Sequence, residues 1–505
     1  MQKKVNKKFI IPLVLGLVIL VVGVVLVLVV FPKVIDDQII ENVVLKKETV
    51  QLERFVKIPF PFKFSVYLYT IANKDEVLNE GKKPKVRQIG PYVYDEYKER
   101  RILQYGSEDL QYEEVWSFKF NKNASGSLSE DDEVTVINAP LISILQSVES
   151  APLPFPPAMI EGVIGEILDS TELFMTVRVG DLTFKGIKMC HKKDKSAIAK
   201  LLCLTMSLMN QKMLEYHEDY ALFSLFKYKT KADGPFVLNT GVTDSKKLGL
   251  ISSYKGMAST EFWNGTYSAC DKVNGYFTTF PPFMEENSSY NVYSSDICKS
   301  ASLSYVKEGE YNGISSYEFK MHKDSFVAPD EQGCVCIHAT KGLDGSSHCY
   351  KKGVLDMNRC LGVPVIVSFP HLMWADEAYR NTITDEFSSE NESYTTIVDF
   401  EPHLGIPLRG AIRLQFNVIM RPININKQVL PMTEKWPRAM FPIFWLEDGF
   451  QLTDELVEEI DSKLVGPLTL ADAVQWSVVG VGAALSVLSI ILLLACRRSE
   501  KLALQ

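Results

Sequence analysis

Two uncharged apolar runs stand at opposite ends of the chain and restrict what it can be. Phe9–Phe31 is 23 residues without a charged side chain, and Ala473–Cys496 is 24. A helix needs about 20 apolar residues to cross the roughly 30 Å of hydrocarbon in a bilayer. Nothing between the two runs is comparable. Residues 9–31 and 473–496 therefore read as transmembrane helices, with residues 32–472 held together on one side.

The flanks orient them. Lys3, Lys4, Lys7 and Lys8 precede the first run, and Arg497, Arg498 and Lys501 follow the second. Basic flanks stay cytosolic. Residues 1–8 and 497–505 are expected in the cytosol, and 32–472 form an ectodomain. A cleaved signal peptide also starts basic and turns apolar. Its core, however, is only about 7–15 residues, and the Pro-Lys-Val-Ile-Asp-Asp after Phe31 offers no small-residue cleavage site.

The ectodomain is acidic overall, since the whole chain carries a net charge of −8. That excludes a typical nucleic-acid binder. No internal repeat or low-complexity spacer divides it.

Cysteine use fits an oxidising compartment. Six of the nine cysteines crowd together: Cys270, Cys298, Cys334, Cys336, Cys349 and Cys360. An even cluster reads as three disulfides whose connectivity the residues leave open. A metal site is the rival reading, because His338 and His348 lie among them. Zinc pairs usually stand about two to four residues apart, with a matching second pair. Cys334 and Cys336 are separated by one residue and have no such match. Cys190 and Cys203 form a fourth bridge or remain two buried thiols. Cys496, beside Arg497, is a palmitoylation candidate. Four Asn-x-Ser/Thr sequons, at Asn123, Asn264, Asn287 and Asn391, all fall between the anchors and read as glycosylation sites.

Period-two alternation marks strands at Phe60–Leu68, Trp116–Phe120 and Leu414–Met420. They lie early and late, without regular βαβ alternation, so a large antiparallel or mixed, barrel-like sheet is expected. Helical patterns are expected at Asp36–Val50, Leu141–Val148, Ala158–Leu168 and Ser196–Tyr216. In the last, Ile198, Leu202, Met206, Met209 and Met213 share one face. That stripe reads as core-facing, or as an adaptable lining for a flexible apolar ligand. Lys185, Lys188, Lys192, Lys193, Lys195 and Lys200, with His191, form a basic patch. Such a run is either a solvated face or a local field that steers anionic ligands.

Catalytic motifs are missing: no Gly-x-Ser-x-Gly, Walker loop, Rossmann fingerprint or His-Glu-x-x-His occurs. His371 and His403 sit beside proline turns and read as structural. Neither an enzyme nor a cofactor or resident metal is expected. Binding, adhesion or transport remain.

Along nearly its whole length the chain resembles the class B scavenger receptor family. The residues that carry this are Arg-Gln-Ile-Gly-Pro-Tyr-Val-Tyr at 87–94, Phe-Pro-Pro-Phe at 280–283, Ser-Asp-Ile-Cys at 295–298, Gly-Val-Leu-Asp-Met-Asn-Arg-Cys at 353–360, Val-Ser-Phe-Pro-His at 367–371 and His-Leu-Gly-Ile-Pro-Leu-Arg-Gly at 403–410. Gly-Pro-Tyr-Val-Tyr-Asp-Glu-Tyr-Lys-Glu at 90–99, with Cys190 and Cys203, is most similar to the insect sensory neuron membrane protein branch. The resemblance implies an α+β ectodomain: a β-rich barrel, an apical helical cluster and an internal hydrophobic tunnel. It implies the pairs Cys270–Cys334, Cys298–Cys360 and Cys336–Cys349. It implies a plasma-membrane co-receptor that passes fatty-acid-derived pheromones to an olfactory receptor channel. The alternative is a scavenger or adhesion receptor for lipids, lipoproteins or apoptotic cells. The family's lysosomal member uses adjacent cytosolic leucines for sorting, whereas Ala503 separates Leu502 from Leu504 here.

Overall fold

The computed structural model describes residues 7–150, 156–208, 211–263, 270–326, 335–338, 340–385, 391–462 and 466–502. They fall into two compact units, Met1–Val44 with Glu310–Ile314 and Leu452–Gln505, and Leu45–Gly309 with Ser315–Gln451.

In the first unit the N-terminal helix runs from Lys7 to Val43, with one π-turn at Leu26–Val30. The C-terminal helix spans Gly466–Leu502. Both are longer than the apolar runs inside them. They pack against each other where side chains are smallest. A Cβ on Gly482 would lie 2.7 Å from the Leu20 nitrogen, and one on Gly16 would lie 2.9 Å from the Ser486 nitrogen. Glycine permits this close backbone approach, as in helix pairs within lipid. The glycines therefore serve a contact within one chain. Val21, Leu28, Leu488 and Ile491 remain exposed, which suits a hydrocarbon environment better than water.

The second unit is built on a large sheet. In chain order its main strands are β1 (Phe62–Ile71), β2 (Lys85–Tyr105), β3 (Asp109–Phe120), β4 (Asp233–Asn239), β5 (Ile251–Tyr254), β6 (Ser289–Ser294), β7 (Lys299–Tyr311), β8 (Ile314–Met321), β9 (Ile397–Glu401), β10 (Ile406–Met420) and β11 (Ala439–Gln451). Their order across the sheet is β5-β4-β3-β2-β1-β11-β10-β9-β8-β7-β6. The first and last strands in sequence are thus neighbours in its middle, Phe64 facing Asp448.

The two edges meet through one short segment. Tyr276 bridges to Leu250, just before β5, and to Val292 in β6. Its amide donates to the Asn291 carbonyl at 2.7 Å, and its own carbonyl accepts from Tyr293 at 3.0 Å. On the other side the Ile251 amide donates to Gly275 at 2.9 Å. Gly275 has φ +96°, and a Cβ there would run into Asn291. The sheet closes into a barrel, and its seam needs that glycine.

Alternation places β1 and β10, with Phe64, Val66, Leu68, Leu414, Phe416 and Val418 buried. Phe60 falls before β1 begins. Gly90 forms a bulge in β2 opposite Tyr67, where a Cβ would lie 2.7 Å from the Val66 carbonyl. The Phe-Pro-Pro-Phe and His-Leu-Gly motifs meet: Met284 and Phe283 donate to the carbonyls of Pro402 and His403 at 2.7 and 3.1 Å.

Helices Ala139–Ser150 and Pro157–Ile167 form where the sequence predicts them. Two expectations are corrected. The predicted 36–50 helix stops at Val43, and a new helix, Val50–Val56, starts after the Thr49 cap. The predicted 196–216 helix is Ala197–Leu208. Leu214–Tyr216 instead forms a strand against Ala221–Phe223. Met213 is buried by that pairing rather than by helical packing. Its helical spacing is a coincidence that sheet hydrogen bonds overrode.

Candidate functional site

The helices 139–150, 157–167 and 197–208, with the turn before the last, hold the basic patch. The structure divides its lysines. Lys192 turns inward, its ammonium donating to the carbonyls of Gly165 and Leu168 at 2.6 and 3.2 Å. It thereby caps the C-terminal end of helix 157–167 and complements its dipole. Lys195 bonds the Cys190 carbonyl. Lys185 lies 3.7 Å from Glu130, and Lys188 sits over the Tyr220 ring. Lys193 and Lys200 are exposed. The patch is thus partly scaffold, with Lys193 and Lys200 left to act on anything outside. Burial cost explains the split: an ammonium turned inward needs carbonyl acceptors, and only helix ends and turns supply them.

Helix 197–208 has two apolar faces. Ile198, Leu202 and Met206 pack on the core, and Met209 lies outside the described residues. The other face is solvent-exposed: Leu201 is 54%, Leu204 57% and Leu208 80% exposed. These three stand three and four residues apart, a continuous helical stripe. Sequence reasoning followed the methionines and missed it. The signal was present, since a 12-residue helix with apolar side chains at nearly every turn has too many to bury on one side.

A second set of side chains sits at the barrel wall; of these the sequence marks Glu96, Lys98 and Asp296 only within motifs and Trp116 only within a strand. Lys98 Nζ lies 2.7 Å from Asp448 and 3.2 Å from Glu96. Lys98 and Lys229 flank the Trp116 ring, each ammonium 4.8 Å from its centre. Lys229 pairs with Asp296 at 2.6 Å. Burial and the nearby Asp448 charge push Glu96 well above the usual carboxylate range. Burial opposes the charge on Lys98, but Asp448 and Glu96 together hold it above the ordinary lysine value. Lys212 has only distant carboxylates and a carbonyl 3.5 Å away, and burial pulls it down. The cluster ties β2, β3 and β11 together and places paired charges beside an otherwise aromatic wall of Phe64, Phe118, Phe184 and Phe226.

The cysteines are placed as follows. Cys298 is bonded to Cys360, Cys336 to Cys349, and Cys190 to Cys203. Cys270 is also disulfide-bonded, whereas Cys334 lies outside the described residues. The Cys190–Cys203 bridge staples helix 197–208 to the basic turn. Beside the Cys336–Cys349 bridge stands His338, its Nε2 3.2 Å from Cys336 Sγ and 3.9 Å from Cys349 Sγ. His348 is 3.8 Å from Asp344. With the two sulfurs joined, neither is a thiolate for a metal.

The loop closed by that bridge lies against a buried ion pair. Arg421 meets Glu149 at the end of helix 139–150 through two hydrogen bonds, and Lys341 of the loop lies 3.5 Å from the same carboxylate. Arg438 holds the loop by donating to the Leu343 carbonyl.

Asn123, Asn287 and Asn391 are exposed. Asn264 lies outside the described residues, as does the side chain of Cys496. His371 is buried, its amide donating to Gln415 at 2.7 Å, and His403 lies 2.9 Å from Glu401.

A sequence model described as the CD36 family matches residues 14–493. The chain belongs to the CD36 family. Relatives in this family include sensory neuron membrane protein 2 of Heliothis virescens, 33% identical over 90% of this chain and 88% of that one. The Manduca sexta protein of that name is 32% identical over 96% and 93%, and the Anopheles gambiae one 28% over 94% and 91%. As a CD36-family chain with two apolar terminal helices and a β-rich ectodomain, the protein is a membrane receptor of a family of receptors rather than enzymes.

Proposed function

We propose that this receptor captures hydrophobic, fatty-acid-derived ligands at the plasma membrane of sensory cells and delivers them to an olfactory receptor channel. Both termini, 1–8 and 497–505, lie in the cytosol. Residues 9–31 and 473–496 are the membrane spans, and 32–472 face outward, glycosylated at Asn123, Asn264, Asn287 and Asn391. The observation that carries the reading is the exposed Leu201, Leu204 and Leu208 stripe beside Lys193 and Lys200. It occurs in a chain whose relatives are sensory neuron membrane proteins.

The physical problem is solubility. A long acyl chain gains about 0.8 kcal/mol per buried CH2, so it does not diffuse freely through water to a membrane channel. A leucine stripe offers the tail an apolar landing face. Lys193 and Lys200 attract the carboxylate of an anionic ligand and raise the capture rate, less so as salt rises. A hydrophobic tunnel through the barrel, as in the rest of the family, carries the ligand onward.

The test reconstitutes the receptor with an olfactory receptor channel and a fatty-acid-derived pheromone. Response onset is compared for wild type, for Leu201→Ser with Leu204→Ser, and for Lys193→Glu with Lys200→Glu. Slower onset in both variants, with the lysine effect erased by high salt, supports delivery. Onset that is the same with and without the receptor rules it out, and a scavenger or adhesion receptor for lipids, lipoproteins or apoptotic cells takes its place.

A further inference from the structure

We propose that Cys336–Cys349 is a thiol-exchangeable disulfide with its own acid, His338, and that its opening releases the loop from the Glu149–Arg421 pair. The proposal is independent of the ligand that the receptor carries.

Three observations converge. The first is position. A disulfide sulfur bears no hydrogen, so in the 3.2 Å contact the Nε2–H of His338 donates to Cys336 Sγ. The same nitrogen is 3.9 Å from Cys349 Sγ. His338 holds this position at φ 50°, in the left-handed region that side chains with a Cβ seldom adopt. The second is access. Cys349 is partly exposed and Cys336 is buried, so an external thiol reaches Cys349 and Cys336 is the sulfur that leaves. The third is contrast. Cys298 and Cys360 are 0% and 5% exposed. Beside Cys190–Cys203 the adjacent histidine, His191, is turned to Asp169 at 3.4 Å.

The exchange balances as follows. The thiolate of an external thiol attacks Cys349 Sγ, forming a mixed disulfide as the Cys336–Cys349 bond breaks. The electron pair goes to Cys336 Sγ, which takes its proton from the His338 imidazolium. A second external thiolate attacks the mixed disulfide at the external sulfur and releases Cys349. One disulfide and two external thiols become two cysteines and one external disulfide. Exchange speeds up when the departing sulfur is stabilised, which is what an adjacent proton donor does.

Opening has a structural consequence. Cross-linking restricts the loop, and that loop places Lys341 on Glu149 and presents the Leu343 carbonyl to Arg438. Without the bridge these two contacts lose their tether. The reducing agent of the extracellular space therefore acts on how firmly helix 139–150 is held at its end.

The full-length protein in phosphatidylcholine nanodiscs is incubated with reduced glutathione, quenched with acid, alkylated and mapped by mass spectrometry. Cys336 and Cys349 should label together, before Cys298 and Cys360. His338→Asn, which tolerates the left-handed backbone but carries no acid, should slow that labelling by about tenfold or more, and added imidazole should restore part of the rate. Reduction should expose Lys341 to trypsin. Labelling of all pairs together, or a His338→Asn rate equal to wild type, overturns the exchange site. A slow variant that imidazole does not rescue overturns the role of His338 as acid. Unchanged cleavage at Lys341 overturns the release of the loop.

Discussion

Arg421 holds both carboxylate oxygens of Glu149, at 2.9 and 2.5 Å, with each side chain only 1% exposed. Arg421 directly follows β10 and Glu149 lies in the last turn of helix 139–150, so the pair joins the helical cluster to the barrel. Burial favours the neutral acid, yet the guanidinium and the Asn424 amide hold Glu149 below the usual carboxylate range.

Breaking one half of this pair strands a charge. Glu149→Gln should cost about 3–5 kcal/mol, and replacing both residues with Met should cost clearly less than Glu149→Gln alone. Thermal unfolding of the detergent-solubilised receptor measures both. An additive double mutant would mean the pair is not acting as a unit.

His371 sets a pH limit. Burial holds its pKa at about 4, below the ordinary 6.5. The folded form therefore keeps a neutral imidazole while the unfolded chain takes up a proton. Its contribution to stability is complete above pH 6.5 and declines as pH falls from there to about 4. At about 1.4 kcal/mol per unit, the loss is on the order of 3 kcal/mol. Stability measured across that window should decline less steeply for His371→Gln. An unchanged slope would show that another group governs it.

The Cys298–Cys360 bridge is buried throughout, and its loss should cost about 2–5 kcal/mol, a large part of a typical domain's stability. Cys298→Ser and Cys360→Ser should both remain in the secretory pathway, and the double mutant should behave no worse than either. Surface biotinylation reads this directly, and normal surface levels for either single mutant would refute it.

Helix contact in the first unit rests on backbone proximity. Gly482→Leu should force the two helices apart, because even its Cβ would lie 2.7 Å from the Leu20 nitrogen. A Gly23→Cys, Val479→Cys pair, at a site where a Cβ on Gly23 first meets the Val478 and Val479 side chains at 3.2 and 3.4 Å, should cross-link in otherwise wild-type protein and fail to do so with Gly482→Leu. Equal cross-linking would place the contact elsewhere.

Much of this fold was legible. The apolar runs lie within the terminal helices, and alternation located β1 and β10. Less visible was the far end of helix 197–208, because Met213 keeps helical spacing while its neighbours pair as a strand. The division of the lysines was also hidden: nothing in the order Lys192-Lys193 says that one caps a helix and the other faces solvent. The barrel-wall charges were masked for a different reason. Glu96, Lys98 and Arg100 keep a strand's alternation, but hydropathy patterns count a charge as exposed, and these three are paired. Mutual neutralisation is a property of contacts, which sequence order does not record.

The seating of β1 between β2 and β11 governs how the chain must be made. β2 emerges soon after β1, but the other edge of β1 waits for Ala439–Gln451, nearly the whole ectodomain later. At about 5–20 residues per second, that edge stays bare for tens of seconds during synthesis. Long-range pairing of this kind is slow, and an open edge invites other strands. A message cut short before β11 does not encode a smaller receptor. It encodes an unfinished sheet with a permanent edge, a burden on the secretory chaperones rather than a partial function.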